Sequence, residues 1–196
     1  MNGKLRNVLI VTGTPGTGKT AVSKELAKAI GARYINLTRF VSKRRLYSGI
    51  DRGRRTKIID LARARSTLTR ELRATKGSVI VDTHNPEGIL PSEMVRRVFV
   101  LRCHPRILDA RLRAKKWKPS KIRENVLAEI VDACLIAAVE QYGSRRLLQV
   151  DTSRLSVGQS VRRIRRSILG KPGRRISVNW LATLEKEGLL DRYLKG

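Results

Sequence analysis

Gly13, Thr14, Pro15, Gly16, Thr17, Gly18, Lys19 and Thr20 place three glycines, a lysine and a hydroxyl at the spacing that holds a polyphosphate. A glycine-rich turn lets several backbone N–H groups converge on one phosphate, and a helix N-terminus adds the positive end of its dipole. Lys19 then reaches the β- and γ-phosphates, and the Thr20 hydroxyl is a hard ligand for Mg²⁺. The alternative is a chance match in an ordinary strand–loop–helix turn. The flanks argue against it: Val8, Leu9, Ile10 and Val11 form an apolar run before the loop, and residues 21–30 follow with helical patterning. The expected ligand is a nucleoside triphosphate.

A second polar group follows another apolar run, Val79, Ile80 and Val81, which ends in Asp82, Thr83 and His84. Ligands of open parallel sheets bind beyond the carboxyl ends of the strands, so Asp82 and His84 are expected to face the phosphates held by the loop. Asp82 is suited to Mg²⁺, directly or through water. His84 could orient a water or touch the γ-phosphate; the plainer alternative is a satisfied loop histidine. A third group is cationic: from Arg102 to Arg123 nine basic residues face Asp109 alone. In a phosphoryl-transfer enzyme such a segment acts as a lid that brings charge over the transferring group, here at residues 113–123.

The elements that position these groups alternate between strand and helix. Residues 8–12 read as a buried strand, 21–30 as a helix stopped by Gly31, and Tyr34, Ile35, Asn36 and Leu37 as a second strand, which implies a right-handed crossover and a parallel sheet. Residues 39–76 are patterned as helix but carry 13 Lys/Arg against 3 Asp/Glu, with turn chemistry at 46–49 and 51–53. The longer helix in this insert carries Ile58, Leu61, Leu68 and Leu72. Residues 78–82, 97–101 and 146–151 complete five strands. Pro105 opens a helix, Ser120 is placed to cap the next, and Ile122, Val126, Ile130, Ala133 and Ala137 run along one stripe. Val157, Val161, Ile164 and Ile168 make a last stripe, with Arg162, Arg163, Arg165 and Arg166 opposite. Residues 170–173 read as a hinge, and the tail beyond as a short separate helix with Ser177 as its cap and Gly188 as its stop.

A chain of 196 residues with 43 Lys+Arg against 16 Asp+Glu carries a formal charge of +27. That field concentrates polyanions, and RNA is the expected one, with residues 145–175 (ten basic, one acidic) as the contact strip. Genome-wide arginine bias and heat adaptation are the competing explanations. Residues 124–144 hold four acids and no base, read as a solvated helix face or a dock for a basic partner. No apolar run is long enough to span a membrane, and six residues before the first strand leave no room for a signal peptide. Cys103 and Cys134 have no metal spacing and are expected as free thiols in a reducing cytoplasm; His104 beside Cys103 reads as an ordinary loop residue.

The same residues resemble the adenylate kinases of the nuclear, isoenzyme-six type and their archaeal counterparts. The loop at 13–20, Tyr34-Ile35-Asn36-Leu37, Leu46-Tyr47-Ser48-Gly49, and above all Val79 to His84 with its Asp-x-His motif carry the likeness. It continues through Val98 to Arg102, Arg111-Leu112, Lys115, Trp117, Lys121-Ile122 and Asn125, and covers roughly residues 6–145. The resemblance implies an α/β P-loop nucleoside monophosphate kinase fold: a five-stranded parallel sheet flanked by helices, with an acceptor insert at 38–77, a lid at 113–123 and a small helical appendage at 171–196 beside the kinase domain of 1–170. It implies ATP with Mg²⁺, AMP as acceptor, and ATPase activity. By position, Gly13, Gly16, Gly18, Lys19, Thr20, Ala21 and Lys115 would bind ATP, Thr20 and Asp82 the metal, and Lys19, Asp82 and His84 would be catalytic. The family partner is a small-subunit platform ribosomal protein (universal S-eleven family), near the pre-rRNA 3′ end in the pre-ribosome. An RNP-assembly ATPase with little AMP kinase activity is the alternative. Two features depart from the family: Lys115 stands where it has arginine, and Arg52, Arg54, Arg55, Arg63 and Arg65 make an ordinarily acidic insert basic.

Overall fold

In the computed structural model, which describes residues 7–51, 56–170 and 177–194, five parallel strands form the central sheet in the order β2, β5, β1, β6, β7. These are β1 (Val8–Thr12), β2 (Arg33–Asn36), β5 (Val79–Asp82), β6 (Val95–Arg102) and β7 (Leu147–Asp151). The continuous apolar runs of β1, β5 and β6 are buried on both faces, as a covered parallel sheet requires. Successive side chains serve opposite layers. Val8, Ile10, Val79, Val81, Val98 and Val100 pack with α2 (Leu37–Lys43), α3 (Leu61–Arg73) and α6 (Ala133–Tyr142). Leu9, Val11, Ile80, Phe99 and Leu101 pack with α1 (Lys19–Ile30) and α7 (Val157–Ile168). The sheet is the one expected; its third, fourth and fifth expected strands are β5, β6 and β7.

Several local expectations are corrected. Leu37 does not extend β2, because the Asn36 side chain accepts a hydrogen bond from the Arg39 N–H at 3.0 Å and caps α2. The insert is not all helix: β3 (Tyr47–Asp51) and β4 (Thr56–Ile59) form an antiparallel pair. Ile58 therefore belongs to β4, and Leu61 is exposed, leaving Ala64, Leu68 and Leu72 as the buried stripe of α3. Arg52, Gly53, Arg54 and Arg55 lie outside the described residues, as do 171–173 of the expected hinge.

The lid segment is mostly helical. α4 (Pro105–Ala114) runs to its start, residues 115–118 connect, and α5 (Pro119–Ile130) begins at a proline suited to the first helical position. Ser120 thus lies inside α5, and Lys118 is its N-cap. The stripe expected to continue from Ile122 to Ala137 is broken at Asp132, which adopts φ 59° and separates α5 from α6. The tail helix α8 (Trp180–Lys186) is capped by Asn179 rather than Ser177, and α9 (Leu190–Leu194) follows Gly188. It is helical but not separate: Leu184 is fully buried among Cys103, Leu108, Leu112, Ile122, Val126 and Ile130. No helix among the described residues is long and apolar enough to cross a membrane.

Candidate active site

The loop at 13–20 leaves β1 at the centre of the sheet and meets α1 with nothing capping it. Gly18 is the N-cap and offers no side chain, and the first turn of α1 holds no acid. The orphan N–H groups of that turn are therefore free to meet an anion. Two glycines make the loop fit. A Cβ at Gly13 would stand 2.3 Å from the Leu101 carbonyl oxygen, and one at Gly16 would stand 2.6 Å from Leu108 Cδ1. Gly13 therefore lets the loop lie against the end of β6, whereas Gly16 and Gly18 line the cleft itself.

That cleft, about 630 Å³, gathers Gly16, Gly18, Lys19, Thr20, Ala21, Asp82, His84 and Lys115. Gly13 alone of the expected site residues is not on its wall. The register explains the meeting of loop and acid, since Val11 of β1 lies opposite Asp82 of β5. Asp82 is 2% exposed, and its Oδ2 accepts from Thr20 Oγ1 (2.8 Å), Tyr34 Oη (2.9 Å) and Asn36 Nδ2 (2.9 Å). None of these bonds uses Oδ1. Thr20 and Asp82 thus present hard oxygen atoms side by side, a donor set that fits Mg²⁺ completed by phosphate and water oxygens. No group of three or more His, Cys, Asp or Glu side chains placed to hold a metal ion occurs among the described residues, so a cage made by protein alone is not what is offered.

Lys19 Nζ donates to the Thr14 carbonyl oxygen at 3.1 Å, and burial lowers the pKa of its ammonium, with the acids Asp82 and Glu129 opposing the shift. A bound polyanion would supply the charge that this lysine lacks. His84 is at the exposed mouth of the cleft. Desolvation lowers its pKa first and the Lys19 charge second, so the ring is neutral at neutral pH. The Tyr34 hydroxyl is pushed up to about 12, by burial first and the Asp82 charge second, and remains a donor to that carboxylate. Cys103 and Cys134 are both free, and burial raises both thiols, Cys103 to about 12. His104 caps α4 through its side chain, and its Nε2 meets Glu187 of the tail.

The residues that sequence reading missed are the supports. Tyr34 and Asn36 hold Asp82, and the pairing of Asn36 with Asp82 between β2 and β5 is the signal that would have found them. Glu129 carried no such signal. It is 2% exposed, pairs with the buried Arg102 at 2.8 Å, and accepts from Thr14 Oγ1 at 2.5 Å. Arg102 also pairs with Asp132. Two of the four acids at 124–144 are thus partners of Arg102, which corrects the expectation for Glu129 and Asp132, while Glu124 and Glu140 are exposed as a solvated face requires.

A five-stranded parallel sheet with this loop at the head of its first helix defines a P-loop protein of the kinase fold. Among solved structures the chain is similar to a shikimate kinase from Acinetobacter baumannii (TM-score 0.56, 18% identity, 84% of this chain and 93% of that one). It is similar to the same degree to a deoxyadenosine kinase from M. mycoides (TM-score 0.56, 13% identity, 83% and 99%). Residues 9–132 match the family model described as AAA domain. Proteins named "Putative adenylate kinase" align over most of their length: 33% identity for that of Methanocaldococcus jannaschii (88% of this chain, 92% of the relative) and 34% for that of Pyrococcus abyssi (88% and 91%). The chain belongs to that AAA domain family and, with these relatives, to the P-loop nucleoside monophosphate kinases.

Proposed function

We propose that this protein is an adenylate kinase that transfers the γ-phosphate of ATP to AMP and also hydrolyses ATP. The observation that carries the reading is the convergence, in one cleft, of an uncapped helix N-terminus, Lys19, Lys115 and the Thr20–Asp82 pair. The loop amides and Lys19 hold the β- and γ-phosphates and stabilise the charge that spreads over the γ-phosphoryl oxygens in flight. Thr20 and Asp82 would hold Mg²⁺, which would supply positive charge against the phosphates at the reacting end. Residues 38–77 form the acceptor segment and 113–123 the lid, from which Lys115 closes over the reacting group. Asn36 and Thr38, where β2 passes into that segment, line the same cleft. The neutral His84 ring orients the water that attacks when AMP is absent. The adenine base is supported by the relatives' name and not by a side chain. Purified protein mixed with ATP, AMP and Mg²⁺ is expected to yield ADP from both nucleotides; no ADP in that mixture refutes the proposal.

The charge of +27 supports a second reading, an ATPase of small ribosomal subunit assembly of the isoenzyme-six type. On α7, Arg162, Arg165 and Arg166 are exposed on the side opposite the buried Val161 and Ile164, a strip suited to a phosphate backbone in pre-rRNA. A platform ribosomal protein of the universal S-eleven family is the corresponding protein partner. Replacing the three arginines by glutamine should lower the slope of log affinity against log salt for single-stranded RNA by about 2. An unchanged slope, together with ATP hydrolysis indifferent to RNA and to that ribosomal protein, removes this reading.

A further inference from the structure

Glu129 is a buried carboxylate at the end of an apolar helical stripe, and a buried ion pair is by itself weak support for stability, since apolar residues of similar volume do as well. A fully satisfied buried network does something else: it fixes geometry. Glu129 Oε1 accepts from Arg102 Nε (2.8 Å), the Cys103 N–H (3.0 Å) and Trp180 Nε1 (2.9 Å), while Oε2 accepts from Thr14 Oγ1 (2.5 Å). The donors come from β6, from α8 in the tail, and from the phosphate-binding loop. Thr14 in turn positions the loop. Its carbonyl accepts from Lys19 Nζ (3.1 Å), from the Thr17 N–H (3.2 Å) and from Thr17 Oγ1 (2.8 Å). At the other end the Trp180 ring is 6% exposed and set by the His104 ring, edge-on at 5.2 Å, with the Arg102 guanidinium 5.9 Å from its centroid.

We propose that the C-terminal tail is a positioning element of the nucleotide site: Trp180, through Glu129, fixes Thr14 and with it the resting place of Lys19. The inference rests on the nucleotide site proposed above. Without the indole donor, Glu129 Oε1 keeps only Arg102 at the end of β6 and the Cys103 amide that follows it, and the carboxylate is free to swing towards that strand end and away from the loop. Trp180 does not line the cleft, so its effect is confined to how well the loop is shaped for ATP.

The test uses the full chain. Trp180→Phe keeps an aromatic ring in place and removes the N–H. The dissociation constant and KM for ATP are expected to rise roughly 3- to 10-fold, the size of effect that coupled residues outside a ligand shell exert. The KM for AMP and the kcat at saturation should stay near the wild-type values, a split that loss of packing alone would not produce. Thr14→Val cuts the same chain at its other end, so the double variant should bind ATP no more weakly than Thr14→Val alone. Should Trp180→Phe fail to fold, the connection is read in reverse. In a Trp117→Phe background Trp180 is the only indole, and both Thr14→Val and ATP binding should then change its emission. Unchanged ATP affinity in Trp180→Phe, or Trp180 emission indifferent to both changes, overturns the relay while the nucleotide site stands. Wild-type protein that binds no ATP overturns the nucleotide site and the relay with it.

Discussion

Replacing Gly13 by alanine should damage this protein more than the same change at Gly18, although both glycines belong to one loop. A Cβ at Gly13 would lie 2.3 Å from the Leu101 carbonyl oxygen and 3.2 Å from Thr17 Oγ1. Leu101 is fully buried in β6, which is paired on one side with β1 and on the other with β7, so the loop and not the strand must give way. Relieving the overlap moves the loop by about 1 Å and costs ~1–3 kcal/mol in overpacking. The φ of +138° adds strain of ~1–3 kcal/mol for a residue with a side chain. For a chain of this size the sum corresponds to a fall in Tm of about 5–20 °C. A displacement of 1 Å at a reacting phosphate costs about 100-fold in kcat/KM. At Gly18 no protein atom stands within 4 Å of the added Cβ, and the cost to stability is the left-handed backbone alone, about 1–2 kcal/mol. Calorimetric melting and ATP titration of the two variants measure both effects. Gly13→Ala that melts as wild type does, or Gly18→Ala whose Tm falls further, would refute the packing of the loop on β6.

Lys19→Ala should abolish AMP phosphorylation and ATP hydrolysis together, and ATP affinity of the wild type should fall with rising pH before an ordinary lysine (10.5) would deprotonate, because burial lowers the Lys19 pKa. His84→Ala should reduce hydrolysis more than AMP phosphorylation; equal losses in the two assays would remove the water-orienting role. The lowered His84 pKa also has a sign for stability: the unfolded chain binds a proton as pH falls below about 6.5 and the folded chain does not until lower pH, so wild type loses stability in that window relative to His84→Ala. Leu184→Ala in the tail should cost about 2–5 kcal/mol by leaving a cavity under α8, read as a lower Tm; a tail that merely touches the surface would give no such loss.

What could be read from the chain was what is local along it. The loop at 13–20, the apolar strands and the strand-ending Asp82 each declare themselves within a few residues, because a strand buried on both faces needs an unbroken apolar run and the loop needs glycines at fixed positions. The antiparallel pair β3 and β4 was hidden because its two short strands, Tyr47-Ser48-Gly49-Ile50-Asp51 and Thr56-Lys57-Ile58-Ile59, carry no clean alternation. The break between α5 and α6 was hidden because Asp132 takes a left-handed φ without a glycine or proline to announce it. Glu129 lay beyond sequence reasoning altogether. Its partners stand 27, 51 and 115 positions away, and an acid within a stretch without basic residues looks solvated until Arg102 is seen to enter from β6.

That use of acids changes how the charge of +27 should be understood. Glu129 and Asp132 are taken by Arg102, Glu71 by both Arg33 and Arg44, and Asp82 by Tyr34, Asn36 and Thr20. These four carboxylates are thus drawn into supports for the fold and the cleft, while Glu25, Glu87, Glu93 and Glu140 are among those left exposed. With 43 basic residues against 16 acidic ones, one-to-one pairing of every acid would still leave 27 cations without an acidic partner. The cleft opens into that positive field, which raises the local concentration of ATP and AMP as readily as it would that of RNA. Strong salt dependence alone would therefore not separate the two proposed activities. Their separation has to come from the site, where Lys19 is expected to serve both reactions and His84 only one.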